Sequence, residues 1–299
     1  MDKTRLYSFE LKNLHQRFIV RLHQEGKSAS SITSMKSRSL TFLCYLEEKG
    51  ITDLTELTHA HLDHFFAELR IVKNKRREGG LAPSYINKFR NAVLRLIEFH
   101  QGVNIGESTF DIPSIKVHRT IKHVLSKEQM QLLFEMHDNS MDGLTNKAIL
   151  STLYGLGLRV GELHNLNISD IDLHKGVVHI TKTKTRHQRV VPMTKVVQHH
   201  IENYIFGVRN YLLPSHEELP AFMVSRRAQR MHKATVQWRL NAMQQKAKIP
   251  FRISPHLLRH SIATHLLKHL SLEEIATFLG HQNIDSTQIY THVYYESQT

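Results

Sequence analysis

Four stretches in the first hundred residues repeat apolar side chains at helical spacing, and each has a readable start or stop. "FELKNLHQRFIVRLHQEG" (9–26) ends at glycine, and "SSITSMKSRSLTFLCYLEEKG" (30–50) opens on serines and ends the same way. "THAHLDHFFAELR" (58–70) and "APSYINKFRNAVLRLIEFHQ" (82–101) follow, separated by the basic turn "KNKRREGG" (73–80). Amphipathic helices of this length must bury their apolar stripes against one another, so a four-helix unit is expected. The next stretch, 102–124, carries two glycines, a proline and no helical period, which suits a linker. A second unit then starts at "LSKEQMQLLFEM", where Ser126 and Gln129 have the spacing of a capping box. The expected division is a helical domain over 1–112, a linker over 113–125 and a second domain over 126–299. A chain of 299 residues, 40% of them hydrophobic, is long enough for two cores.

The second domain reads as mixed. "NKAILSTLYGLGLRVGELHNL" (146–166) fits two helices joined at a glycine turn, with Arg159 at the start of the second. "GVVHITKTKTRHQRVVPM" (176–193) has β-branched runs at 177–181 and 189–191 around a basic stretch, which predicts a hairpin with a cationic tip. Helical patterning returns over 233–248, 254–270, 271–280 and 285–295. The last three start on good caps: Ser254 with Pro255 behind it, Ser271 with Glu274, and Asp285. His256 and Arg259 are three apart and share a helix face, while Leu258, Ile262 and Leu266 run along another; the polar pair is therefore expected to point away from the apolar stripe. His281 follows Gly280, a fitting helix C-cap, and Tyr290 falls in the first turns of the next helix.

Charge narrows the partners. Forty Lys and Arg against 27 Asp and Glu leave +13, which favours a polyanion, nucleic acid before an anionic membrane. The lone Cys44 rules out an internal disulfide framework and any Cys-built metal site, and points to a reducing compartment. No apolar run approaches a membrane span and no signal region opens the chain, so a cytoplasmic protein with no membrane partner is expected. Two guanidinium groups, two imidazoles, a lysine and a tyrosine suit attack on a phosphodiester. Arginine forks hold phosphate oxygens and stabilise the charge gained in the transition state. A cationic site lowers the cost of forming the phenolate, and a lysine or histidine protonates the departing hydroxyl. Such a transfer needs no metal or nucleotide cofactor.

The stretches "GLGLRVGELHNLNISDID", "KTRHQRVVP", "HLLRHSIATHLL" and "LGHQNIDSTQIYTHV" resemble, in order and interval, the signature motifs of the tyrosine recombinase (phage integrase) family, most closely its Xer-type and integrase-like members. The resemblance covers the chain from about Ser126 onward, and the four-helix unit also resembles the family's core-binding domain. It implies a mainly α protein of two domains: an N-terminal four-helix, SAM-like core-binding domain that clamps DNA, and a C-terminal α+β catalytic domain with a small β-hairpin or sheet. Carried across residue by residue, Arg159 matches the first catalytic arginine and Glu162 the acidic residue that supports it. His256 and Arg259 match the His-x-x-Arg pair, His281 the second His-or-Trp position, and Tyr290 the nucleophile. Lys182 and Lys184 both lie in the basic stretch; the family's spacing to Arg189 and Pro192 favours Lys184. Tyr294 and Tyr295 are competing hydroxyls, and spacing from His281 favours Tyr290.

The implied reaction is site-specific recombination through a 3′-phosphotyrosine and a Holliday junction. Its implied partners are double-stranded DNA with paired half-sites and three further protomers, identical or from a paired recombinase. Lys73, Lys75, Arg76 and Arg77 form one expected DNA-contacting group. Arg226, Arg227, Arg230, Lys233 and Arg239, along a segment expected to supply a DNA-contacting helix, form another. Two other readings remain: a metal-dependent nuclease using His256 with His260 or His265 with His269, and a catalytically silent DNA-binding protein.

Overall fold

The computed structural model describes residues 5–73, 80–117, 123–181, 188–213 and 219–280. The chain divides into two compact units, Met1–Arg119 and Thr120–Thr299.

In the first unit four helices form where the apolar spacing places them: α1 (Phe9–Gln24), α2 (Ala29–Glu48), α3 (His59–Ile71) and α4 (Pro83–Gln101). Ser8 and Ser28 cap the first two by accepting from the backbone N–H groups of Leu11 and Ser31, and Pro83 occupies the first position of α4, where a missing N–H is harmless. Phe18, Phe42, Leu46, Phe65, Val93 and Leu96 fill the shared core. Each such side chain contributes about 1.5–3 kcal/mol of burial, and truncating Phe18 to alanine costs about 3–5 kcal/mol. The α4 helix ends at Gly102, in the left-handed conformation. Beyond it the chain folds back, since Glu98 is buried in α4 and its Oε1 accepts from the Gly106 N–H at 2.7 Å. Part of the expected linker is anchored to the same helix: Asn87 exchanges two hydrogen bonds with the Ile115 backbone and Ile112 is buried.

The second unit opens with α5 (Lys127–Glu135), whose Ser126–Gln129 capping box is present, and α6 (Met141–Leu150). A wider helical turn over Ser151–Gly155 leads to a sharp bend at Gly157 and the short α7 (Val160–Asn165). A three-stranded antiparallel sheet follows, in the order β1 (Ile171–Asp172), β2 (Val177–Ile180), β3 (Arg189–Pro192). Its register pairs Val178 with Val191 and Ile180 with Arg189. Val178, Ile180 and Val191 turn into the core, so the two-residue alternation turns Arg189 inward as well. The hairpin of the sequence is thus present; its basic tip, with Lys182 and Lys184, lies outside the described residues.

Five further helices follow among the described residues: α8 (Lys195–Tyr204), a short α9 (Asn210–Leu212), α10 (Lys233–Lys246), α11 (Pro255–Leu266) and α12 (Leu272–Leu279). Ser254 and Ser271 cap the last two as their spacing predicts, and Gly280 closes α12 at φ +66°. Leu133, Ile149, Leu153, Ile201, Tyr204 and Leu258 belong to the main core. Ala263, Ile275 and Leu279 join α11 to α12. No helix among the described residues is long and apolar enough to cross a membrane.

Candidate active site

Glu162 sits in the first turns of α7, only 4% exposed, and arginines from three separate elements surround it. Arg159, the N-cap residue of α7, donates from Nη1 to Oε1 at 2.7 Å and from its backbone N–H to Oε2 at 3.0 Å. Arg189, from β3, lays its fork on both oxygens, Nη1 to Oε1 at 3.2 Å and Nη2 to Oε2 at 2.9 Å. Arg259, from α11, brings Nη1 to 3.9 Å from Oε2. Burial by itself would raise the Glu162 carboxyl. The hydrogen bonds and charge of Arg189, then the backbone and side chain of Arg159, hold it down at about 2 instead. The carboxylate is therefore ionised at neutral pH, and three guanidinium groups against one carboxylate leave two surplus positive charges. Such an excess suits a phosphate.

The same arginines hold the end of α12. Arg189 Nε donates to the Phe278 carbonyl at 2.9 Å, Arg259 Nη2 to Leu279 at 2.6 Å and Arg159 Nη2 to Gly280 at 3.3 Å. Three successive carbonyls, left without helical partners where a helix stops, thus take three cations. Arg259 Nη1 also donates to the Gly157 carbonyl at 2.6 Å. Gly157 has φ +61°, and a Cβ there would stand 2.8 Å from Leu279 Cδ2, so this close crossing requires glycine.

The orientation expected for Arg259 is corrected here. Its side chain does not point away from the apolar stripe with His256: it is 2% exposed and reaches inward to the Gly157 and Leu279 carbonyls, whereas His256 is exposed at the start of α11. Buried carbonyls at two chain ends take up the guanidinium donors, and this offsets the desolvation that helical spacing alone assigns to a charged residue. Arg159, Glu162 and Arg259 are brought together. His281 and Tyr290 lie outside the described residues, as do Lys182 and Lys184. Arg189 enters the cluster although its sequence context marked it only as a spacing guide for the lysine. Strand alternation with the inward Val191 was the available signal.

The expected DNA-contacting residues separate into two kinds. Arg227 and Lys233 are exposed, Lys233 at the first position of α10, and Arg226 is exposed while paired with Asp142 at 2.6 Å. Arg230 and Arg239 instead spend donors within the unit. Arg230 bonds the His164 and Leu166 carbonyls and Asn167 Oδ1; Arg239 bonds Asn146 Oδ1 and Asp142 Oδ1. The helix of this segment begins only at Lys233, because a turn bridged between Val224 and Arg230 precedes it. Lys73 is exposed beside a bridge to Gly80, and Lys75, Arg76 and Arg77 lie outside the described residues. As for metal ligands, His260 is buried and His265 Nδ1 is within 2.7 Å of the Tyr154 hydroxyl. Among the described residues no three His, Cys, Asp or Glu side chains gather as a metal-holding group.

The phage integrase family matches residues 123–297, more than half of the chain. A protein named tyrosine recombinase XerD from Oceanobacillus iheyensis is 30% identical over 277 residues, 90% of this chain and 90% of that protein. A XerD from Yersinia pestis is 34% identical over 247 residues, 81% of this chain and 80% of its own length. Among solved structures, the site-specific recombinase XerH bound to its difH substrate before cleavage superposes with a TM-score of 0.72 at 17% identity, covering 97% of this chain and 95% of that one. A lambda integrase dimer bound to a core site superposes at 0.64 and 16% identity, covering 94% of this chain and 76% of that one. The two solved structures share the two-domain, mainly helical fold described above.

Proposed function

The chain belongs to the phage integrase family, the tyrosine recombinases that break and rejoin DNA strands, and we propose that it does so at a specific duplex site through the cluster around Glu162. The scissile phosphate binds to Arg159 and Arg259. The Tyr290 hydroxyl passes its proton to water and its oxygen attacks phosphorus, the bond to the 5′ oxygen breaks, and a 3′-phosphotyrosine and a free 5′-hydroxyl result. Lys184, with Lys182 as the alternative, or a histidine supplies the proton that the departing oxygen takes up. His256 and His281 hydrogen-bond the phosphate oxygens. Attack by a second strand's 5′-hydroxyl reverses the step with the bond energy retained. Two such exchanges through a Holliday junction, in a tetramer of this chain or of this chain and a paired recombinase, complete recombination. The gathering of Arg159 and Arg259 on one buried carboxylate with an excess of positive charge is the observation that carries this assignment. Arg226, Arg227 and Lys233, with Lys73, Lys75, Arg76 and Arg77, then meet phosphates along the duplex. A catalytically silent DNA-binding role and a metal-dependent nuclease are not favoured, because the relatives matched over most of the chain are tyrosine recombinases.

The test uses duplexes that the protein itself selects from a randomised library, nicked so that cleaved product cannot religate. A denaturing gel should show a covalent protein–DNA band that persists in EDTA and is absent from Tyr290→Phe. No adduct from the wild-type protein on DNA that it binds overturns the assignment. Arg159→Ala and Arg259→Ala should lower cleavage far more than binding, and equal losses in both would remove their transition-state role.

A further inference from the structure

We propose that Arg189 is a positioning residue for the reaction, which holds Glu162 and the end of α12 so that Arg159 and Arg259 remain available to the phosphate; this rests on the site reading above. Three observations carry it. The strand register turns Arg189 toward the core opposite Ile180, where its side chain is 8% exposed. All three guanidinium nitrogens are in use, two on the Glu162 carboxylate and Nε on the Phe278 carbonyl. The Arg159 side chain bonds Oε1, and Arg259 stands 3.9 Å from Oε2.

The physical consequence concerns Arg259. A buried carboxylate must take its full share of donors, and Arg189 supplies Oε2 at 2.9 Å while Arg259 stands back at 3.9 Å. Without the Arg189 fork, Oε2 keeps the Arg159 backbone N–H but loses its guanidinium donor, and Arg259, 3.9 Å away, is placed to fill that position. Drawn onto Oε2, the Arg259 guanidinium leaves the position from which it meets the phosphate. The Nε bond adds a second constraint, since it ties β3 to the final turn of α12 beside Gly280. Lysine cannot replace this arrangement: one ammonium group does not span a carboxylate edge and a separate carbonyl.

Adduct formation on the selected nicked duplexes, followed in time across DNA concentrations, tests the proposal. Arg189→Gln should lower the saturating first-order rate by about 100-fold, and Arg189→Lys by about 10-fold, as expected for displaced catalytic groups. In both, the DNA concentration giving half the maximal rate should stay within about twofold of wild type. Thermal melting supplies the folded fraction to which each rate is normalised. A normalised saturating rate within about twofold of wild type, or a loss confined to the half-saturating concentration, overturns the proposal. If Arg189→Gln shows no cooperative melting, Arg189→Lys decides by the same criteria. Failure of the wild-type protein to form any adduct overturns the site reading, and this inference with it. A wild-type adduct together with unaffected Arg189 variants overturns this inference alone.

Discussion

Two arginine–glutamate pairs three residues apart, one in each unit, start from the same local pattern and end in different roles. In α4, Arg95 precedes Glu98, and the helix closes at Gly102; in the second unit, Arg159 precedes Glu162, and Gly280 closes the helix beside them. Both glutamates are buried, at 5% and 4% exposure. Glu98 uses one oxygen to hold the Gly106 N–H, and its other oxygen lies 3.9 Å from Arg95 and takes no hydrogen bond among the described residues. Arg95 itself turns to Glu25 at 2.5 Å. Glu162 is saturated from both sides and gathers two more arginines. A buried carboxylate thus fastens a chain reversal in one place and organises a surplus of cations in the other. What differs is the set of long-range neighbours.

The largest expected effect tests that difference directly. Glu162→Gln should cut the saturating rate of adduct formation by about 100-fold or more, since it releases three guanidinium groups from their common partner. Glu98→Gln should leave that rate within about threefold. Equal losses in the two variants would break the comparison.

Acid separates wild type from Glu162→Gln next. The folded carboxyl at about 2 lies below its ordinary value near 4.5, so its contribution is present above pH 4.5 and is lost as pH falls through 2. That contribution is on the order of 3 kcal/mol. Trp238, the chain's single tryptophan, lies in the second unit, and its fluorescence during urea unfolding reads that unit. The stability gap between wild type and Glu162→Gln should narrow steadily from pH 5 toward pH 2; a constant gap would show that the carboxyl is not held by its arginines.

The two closing glycines give a smaller contrast. Alanine at either adopts a left-handed conformation and should cost about 1 kcal/mol, read from thermal melting. A Cβ at Gly102 meets nothing within 4 Å, but at Gly280 it would stand 2.8 Å from Arg189 Nη1 and 3.0 Å from its Cδ. Only Gly280→Ala should therefore also slow adduct formation, by about 10-fold if Arg189 is displaced. Equal rates for the two variants would loosen Arg189 from the cluster.

The smallest effect distinguishes cations spent inside the fold from those facing outward. Arg227→Ala and Lys233→Ala should each lower the slope of log affinity against log salt by about one, without a change in melting. Arg230→Ala should instead lower the melting temperature, because three protein acceptors each lose a donor. A salt-slope change for Arg230→Ala of the same size would erase the distinction.

Much of the fold is legible in the sequence because its signals are local. Ser126, Ser254 and Ser271 mark helix starts, and glycines mark the ends of α4 and α12, since a cap needs only a side chain within three or four residues. The hairpin is readable from two β-branched runs for the same reason. Arg159, Glu162 and Arg259 are legible as members of ordered motifs. The inward turn of Arg259 is not, because helical spacing assigns a charged side chain to the polar face, and the carbonyls that receive it belong to residues 157 and 279. Arg230 and Arg239 read as surface cations until their distant acceptors are in place.

By itself the sequence determined most of the helices, several of their caps, the strand pair, the surplus of positive charge and the motif order that marks the family, all properties of neighbouring residues or of the chain as a whole. The tertiary structure alone decided that Glu162 and not Glu98 becomes the centre of an arginine cluster, and that Arg189 shares it. The physical reason is that a buried charge is defined by the donors that surround it, and those of Glu162 come from three elements up to 97 positions apart, Glu162 to Arg259.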